Sequence, residues 1–285
     1  MLSKIKGVLK RIVKGNNVKV PVYIPVIYGE SLKGRNVFIT GGNGGIGYAI
    51  ALACLRNGAD VVIAGRNKEK LEKAKSSLAK ELDRKDAFIG TLSVDMANVS
   101  DFEGKVSEAA KMFPSGKTDA LVNCAGIQAG GSFGNTVESG FDDTINTNLK
   151  GTYFMSEVFS KYMISNEIKG NILNISSVSG IRPSVSAYMI SKRGINGLTE
   201  GMAKRLIKSD IVVNGIAPGP TATAMLNLDG ENLEYEKAPA HRYSSPVEVA
   251  NLAVFLISDF GRMIVGETIC LSGGCGNLTY DDIGY

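Results

Sequence analysis

A single histidine, His241, is all the chain offers for imidazole chemistry. A Ser-His-Asp triad or a histidine-rich metal centre would have to be built around it, and its surroundings, Ala238-Pro239-Ala240-His241-Arg242, read as a surface loop. Cysteine is also scarce. Cys54, Cys124, Cys270 and Cys275 are scattered, with neither paired metal-ligand spacing nor a disulfide framework, so no metal is expected and a reducing, cytoplasmic setting is. No apolar run reaches the roughly 18 residues that span a bilayer, and the start shows no uninterrupted apolar region or small-residue cleavage site of a secretory signal. Repeats, low-complexity tracts and interdomain linkers are missing too. What remains, with 44% hydrophobic and 21% charged residues over 285, is one large globular domain.

Acid is absent from the first 29 residues. Lys4, Lys6, Lys10, Arg11, Lys14 and Lys19 precede Glu30 and account for the net charge of +4, leaving the remainder slightly acidic, so no nucleic acid is expected as a partner. Residues 1–15 place Leu2, Ile5, Val8, Leu9, Ile12 and Val13 on one helical arc and the cations on the other. That pattern suits peripheral contact with an anionic membrane surface, and equally a helix packed on its own domain or on a neighbouring subunit. Val18 to Val26, broken by Pro21 and Pro25, reads as an extended arm. The division expected is therefore an arm, 1–33, and a domain, 34–285.

From residue 34 strand and helix patterns alternate. Strands are expected at 36–40, 60–64, 88–94, 120–123, 171–175, 212–217 and 267–271. Helices are expected at 45–57, 68–82, 100–112, 138–165, 187–207 and 246–258, with a loop and short helix over 220–245. Continuously apolar strands such as Val61-Val62-Ile63 imply burial on both faces, and the alternation implies one parallel sheet with helices on each side.

The first strand runs into Thr40-Gly41-Gly42-Asn43-Gly44-Gly45-Ile46-Gly47 and then a helix. Gly41, Asn43, Gly45, Ile46 and Gly47 are candidates to hold a diphosphate: glycines admit a close backbone, and the N–H groups at the helix start carry partial positive charge. At the end of the second strand, where an NAD site would place an acid for the ribose hydroxyls, stands Gly65, followed by Arg66 and Asn67. Arg66 can pair with a 2′-phosphate through its planar fork, which favours NADP(H) over NAD(H). Asp95, with Met96 beside it, can accept from an adenine amino group or simply cap a helix. Asn123, Ala125 and Gly126 close the fourth strand with small residues against which a ribose can lie, and the Asn123 side chain can tie neighbouring strands.

Tyr188 and Lys192 lie four apart in a helical pattern, so phenol and ammonium share one face. A cation there, reinforced by a cationic nicotinamide ring, stabilises the phenolate and is expected to lower the tyrosine pKa, making Tyr188 a general acid or base towards a carbonyl or alcohol. Ser177 can orient the substrate oxygen, and Asn148 can anchor a water leading from Lys192 to solvent. Each has a plainer structural role available: a packed ring with a snorkelling lysine, a turn cap, an ordinary helix polar residue.

Taken together, Thr40-Gly41-x-x-x-Gly45-Ile46-Gly47, Asn123-x-Ala125-Gly126, Asn148, Ser177-x-x-Gly180, Tyr188-x-x-x-Lys192 and Pro218-Gly219 resemble the classical short-chain dehydrogenase/reductase family over about residues 34–275. The resemblance implies an α/β, Rossmann-like doubly wound parallel sheet of seven strands in three layers. It implies a nicotinamide cofactor, Asn148, Ser177, Tyr188 and Lys192 as the catalytic set, and Pro218, Gly219, Thr221 and Thr223 near the carboxamide and diphosphate. It also implies a homodimer or homotetramer built on the helices at 138–165 and 187–207. Four features depart from the family pattern. The step from Ser177 to Tyr188 is only eleven residues, Ser272 stands where an aspartate often precedes Gly273-Gly274, Cys124 replaces a commoner asparagine, and the glycines also parse as Gly41-x-x-Gly44-x-x-Gly47, as in the extended nucleotide-sugar branch. The function expected is an NADPH-preferring oxidoreductase acting on a small carbonyl or secondary alcohol, with a catalytically silent NADP-binding scaffold or regulator as the alternative.

Overall fold

A computed structural model describes residues 30–223, 225, 233–276 and 278. The amphipathic pattern of residues 1–15, the proline-broken arm and residues 226–232 of the segment expected over the substrate lie outside the described residues.

Seven strands, β1 (Asn36–Thr40), β2 (Asp60–Gly65), β3 (Ile89–Ser93), β4 (Ala120–Asn123), β5 (Asn171–Ile175), β6 (Val212–Pro218) and β7 (Thr268–Leu271), form one parallel sheet in the order β3-β2-β1-β4-β5-β6-β7. Period-two alternation divides the core. Val37, Ile39, Val61, Ile63 and Val122 join an apolar cluster on one face, and Phe38, Val62, Ala64 and Leu121 join another on the opposite face. The first face is covered by α1 (Gly45–Arg56), α2 (Lys68–Glu81) and α7 (Pro246–Ile257), through residues such as Ile50, Leu71 and Val249. The second is covered by α3 (Phe102–Met112), α5 (Gly151–Ser165) and α6 (Ala187–Leu206), through Phe102, Phe159 and Leu206. Each large side chain so buried contributes roughly 1.5–3 kcal/mol of transfer free energy, which explains why both faces read as continuous apolar runs.

The starts of α2, α6 and α7 are marked by side chains that accept first-turn amides. Asn67 accepts from Lys70 N at 2.9 Å, Ser186 from Met189 N at 3.3 Å, and Ser245 forms a reciprocal capping box with Glu248. Helix α1 is different: its cap is Gly44, and no side chain closes its amino end.

One expectation fails locally. The sequence pattern predicts an unbroken helix over 138–165, whereas α4 (Glu138–Ile145) and α5 are joined by a π-helical segment, Asn146–Lys150. The wider turn carries Asn148 into full burial, where Oδ1 accepts from Ile127 N at 2.8 Å and Nδ2 donates to Ile127 O at 2.9 Å. Those two bonds hold the chain beyond β4 against the helix, and helical periodicity alone gives no sign of them.

The chain reverses direction across the sheet at β1, which β2 and β4 flank. In register, Thr40 faces Ala64 and Asn123, Asn123 faces Asn174, and Pro218 faces Leu271, so the carboxyl ends form one level edge. A crevice outside that edge at the switch point is where such sheets bind nucleotides.

Candidate active site

The crevice begins at the glycine turn. Gly41 has φ 69°, and a Cβ on it would come within 2.8 Å of Ala125 Cα. At Gly47 a Cβ would meet the Gly41 carbonyl oxygen at 2.2 Å. No other residue fits the tight turn from β1 into α1. Thr40 Oγ1 fixes the facing wall by accepting from Cys124 N at 3.2 Å and Ala125 N at 3.3 Å. With no side-chain cap on α1, its first-turn amides are open to an anionic ligand. These residues bound a cleft of about 340 Å³ that runs on to Tyr188 and Lys192.

Lys192 is buried, and its Nζ donates to Ile175 O at 2.8 Å while lying 5.6 Å from the Tyr188 ring centroid. Burial lowers its pKa to about 8. The Ser177 hydroxyl hydrogen-bonds the Tyr188 phenol and so favours its ionised form, yet burial dominates and leaves the phenol above its ordinary value. Without a cationic nicotinamide ring beside it, Lys192 does not bring the phenol below its ordinary value. The ammonium is spent on a carbonyl beneath the ring, and removal of water from the phenolate is the larger effect. Burial likewise pushes the Cys124 thiol to about 12, which leaves it protonated.

Tyr188, Ser176 and Ile46 also line a second hollow of about 190 Å³ beside Ser177, so the phenol stands where the long cleft meets a smaller chamber. A sheet-edge cradle, an open helix start and a phenol–ammonium pair at the junction make the shape a nicotinamide dinucleotide needs.

The sequence model of the family described as "short chain dehydrogenase" matches residues 35–234. The chain belongs to the short-chain dehydrogenase/reductase family. It is 34% identical over 249 residues to a Thermotoga maritima 3-oxoacyl-[acyl-carrier-protein] reductase FabG, covering 85% of this chain and 98% of that one. Among solved structures, levodione reductase superposes with a TM-score of 0.78 at 27% identity, over 87% of this chain and all of that one. Actinorhodin polyketide ketoreductase with NADPH superposes at 0.75 with 26% identity, over 85% and 97% of the two chains. The protein is an NAD(P)-dependent oxidoreductase with the seven-stranded Rossmann-like sheet of its family.

In this dehydrogenase/reductase the expected site residues fall into three groups. Gly41, Asn43, Gly45, Ile46, Gly47, Ala125 and Gly126 line the long cleft with Tyr188, Lys192 and Thr223. Arg66, Asn67 and Met96 line its far end, about 220 Å³, although Asn67 Oδ1 is already engaged as the cap of α2. Pro218, Gly219 and Thr221 line the smaller chamber, where the Thr221 hydroxyl donates to Gly219 O at 2.9 Å.

Others are structural in the first instance. Asp95 accepts from Ala97 N at 3.0 Å, as a turn cap does. Asn123 Nδ2 donates to Ser156 Oγ and to Asn174 Oδ1, tying β4 to β5 as expected. Asn148 spends its amide on Ile127 and on Ser191 Oγ, which in turn donates to Tyr188 O at 2.7 Å. Its side chain thus positions the backbone of α6 at Tyr188. At the Ser272 departure, a Cβ on Gly219 would lie 2.8 Å from Ser272 Cα, so backbone closeness holds the two segments together.

Sequence reasoning assigned no individual part to Thr40, although it opens the glycine motif, nor to Ser191, Lys70 and Arg182. Lys70 stands four residues beyond Arg66, and Arg182 is the single charge between Ser177 and Tyr188.

Proposed function

We propose that this oxidoreductase is an NADPH-preferring carbonyl reductase in which Tyr188 is the general acid. The observation that carries the reading is the place of Tyr188: one phenol lines both the long cleft and the smaller chamber, hydrogen-bonded to Ser177, with Lys192 beneath its ring. The glycine turn and the α1 amides would hold the diphosphate, and Lys192 the ribose beside the reacting ring. The dinucleotide, when bound, supplies the hydride. Ser177 orients the carbonyl oxygen, and Tyr188 passes its proton to that oxygen as negative charge builds there. Lys192 stabilises the phenolate left behind, and Asn148 and Ser191 keep the helix carrying Tyr188 and Lys192 seated.

Preference for the phosphorylated cofactor is supported by Arg66 and Lys70 on one cavity wall. Gly65 supports it too. A Cβ there would stand 3.0 Å from Asn43 Oδ1, so an acid for the ribose hydroxyls has no room without moving Asn43. A homodimer or homotetramer is supported by the exposed Tyr153, Phe154 and Ile164 on α5 and Ile190 on α6. Among the described residues no helix is long and apolar enough to cross a membrane.

The test is NADPH consumption by the purified protein across a panel of ketones and aldehydes. Turnover with at least one class is expected. Tight NADPH binding without turnover on any panel member favours the silent scaffold instead.

A further inference from the structure

Alternate residues along β5 turn their side chains to the sheet face that α6 covers, Ile172 among them. The two polar ones form a seam with that helix. Asn174 Nδ2 donates to Thr199 Oγ1 at 2.9 Å, and both residues are fully buried. Two positions further on, just past the strand, Ser176 Oγ lies 2.5 Å from Asn196 Oδ1 and 3.1 Å from Lys192 O. The hydroxyl has one proton for two acceptors, and the amide oxygen is the nearer. Ser176 is buried, and its own amide donates to Ile216 O at 2.7 Å. One residue therefore ties the end of β5 to β6 on one side and to α6 on the other.

Asn196 shares a helix face with the reacting pair, since Tyr188, Lys192 and Asn196 follow one another at intervals of four. Three consecutive residues at the end of β5 each meet that face. Ile175 O takes the Lys192 ammonium, Ser176 takes Asn196, and Ser177 takes the Tyr188 phenol. The outer two contacts use groups whose charge or proton the reaction needs. The middle one ends on Asn196, which is not among the residues lining the cleft or the chamber. Its amide therefore reaches the site through Ser176, and the serine lines both cavities. A support of this kind keeps its geometry while the proton moves.

Resting on the reductase reading above, we infer that the Ser176–Asn196 hydrogen bond sets the spacing between the Ser177 hydroxyl and the Tyr188–Lys192 pair, which makes Asn196 a positioning residue for proton transfer to the carbonyl. A misplacement of about 1 Å at reacting groups can cost on the order of 100-fold in rate. The plainer role is a seam contact that only steadies α6, as Asn174–Thr199 does, and the experiment separates the two.

Hydride transfer is followed in the full-length protein with the fastest substrate of the carbonyl panel under saturating NADPH, alongside NADPH affinity and Tm. Asn196→Leu keeps the bulk and removes the acceptor; it should slow transfer about tenfold and leave NADPH affinity within about twofold. Ser176→Ala should match it, and the double variant should be no slower than either, because all three lose one contact. Asn196→Asp retains an acceptor and should recover most of the rate. Thr199→Val, lower in the seam, should lower Tm and leave the rate near that of the parent. Parental rates in Ser176→Ala overturn the inference even if Asn196→Leu does not fold. So do additive losses in the double variant, or a Thr199→Val protein that slows as much as Asn196→Leu. The carbon-13 signal of Tyr188 Cζ in the NADP⁺ complex needs no turnover. Its titration midpoint should rise by about half a unit in Ser176→Ala, as the phenolate loses well-placed partners, and stay in place in Thr199→Val. An unmoved midpoint in an active enzyme removes this inference and leaves the reductase reading, while a raised midpoint in a protein without turnover does the reverse.

Discussion

Tyr188→Phe is expected to lower turnover about 10³- to 10⁴-fold, the upper part of the range for general acid–base catalysis, while NADPH affinity stays within about twofold. The ring remains, so the packing at the junction of cleft and chamber is preserved and only the hydroxyl is lost. The effect should be large because the neighbours cannot stand in. Lys192 directs its ammonium to Ile175 O, and the Cys124 thiol, held near 12 by burial, is no proton donor at neutral pH. Ser177 can still orient a carbonyl but has no acidic proton to give. Stopped-flow hydride transfer under saturating NADPH, paired with a fluorescence titration of NADPH binding, checks both halves. Undiminished transfer would remove Tyr188 from the chemistry.

Arg66→Ala is expected to weaken NADPH about 100-fold, roughly 2.7 kcal/mol, and NADH by no more than about twofold. The size follows from the loss of a charge-assisted contact to phosphate. Because Arg66 is exposed on the cavity wall, the difference should shrink as salt is raised. Lys70, in the first turn of α2, should leave a residual preference that the double substitution abolishes. Equal weakening of both cofactors would show that Arg66 serves the adenosine or the fold and not a 2′-phosphate.

Much of this was legible from residue order because it depends on local rules. Val61-Val62-Ile63 reads as a strand buried on both faces, and Gly41 to Gly47 as a turn opening a helix. Tyr188 and Lys192 share a helix face by spacing alone. Those features are set by neighbours a few residues away, and the structure keeps them. What could not be read depends on partners distant in the chain. The π segment exists because Asn148 finds Ile127, twenty-one residues earlier, and Ser191, forty-three later. The direction of the Tyr188 shift depends on how completely packing removes water from the phenol, which no spacing rule reports. Arg182 reaches the wall of the chamber only because the loop after Ser177 folds down beside it.

The central claim is that Tyr188 becomes a usable acid when a nicotinamide dinucleotide occupies the cleft, although burial alone holds its phenol above the ordinary tyrosine value. Carbon-13 at tyrosine Cζ, with Tyr188→Phe to identify the resonance, follows that phenol through a pH titration. Without cofactor it should titrate above the usual value of about 10. With NADP⁺ bound the midpoint should fall below that value, and Lys192→Met should abolish the fall. A midpoint that stays above it with NADP⁺ bound, or a fall that survives Lys192→Met, would contradict the account.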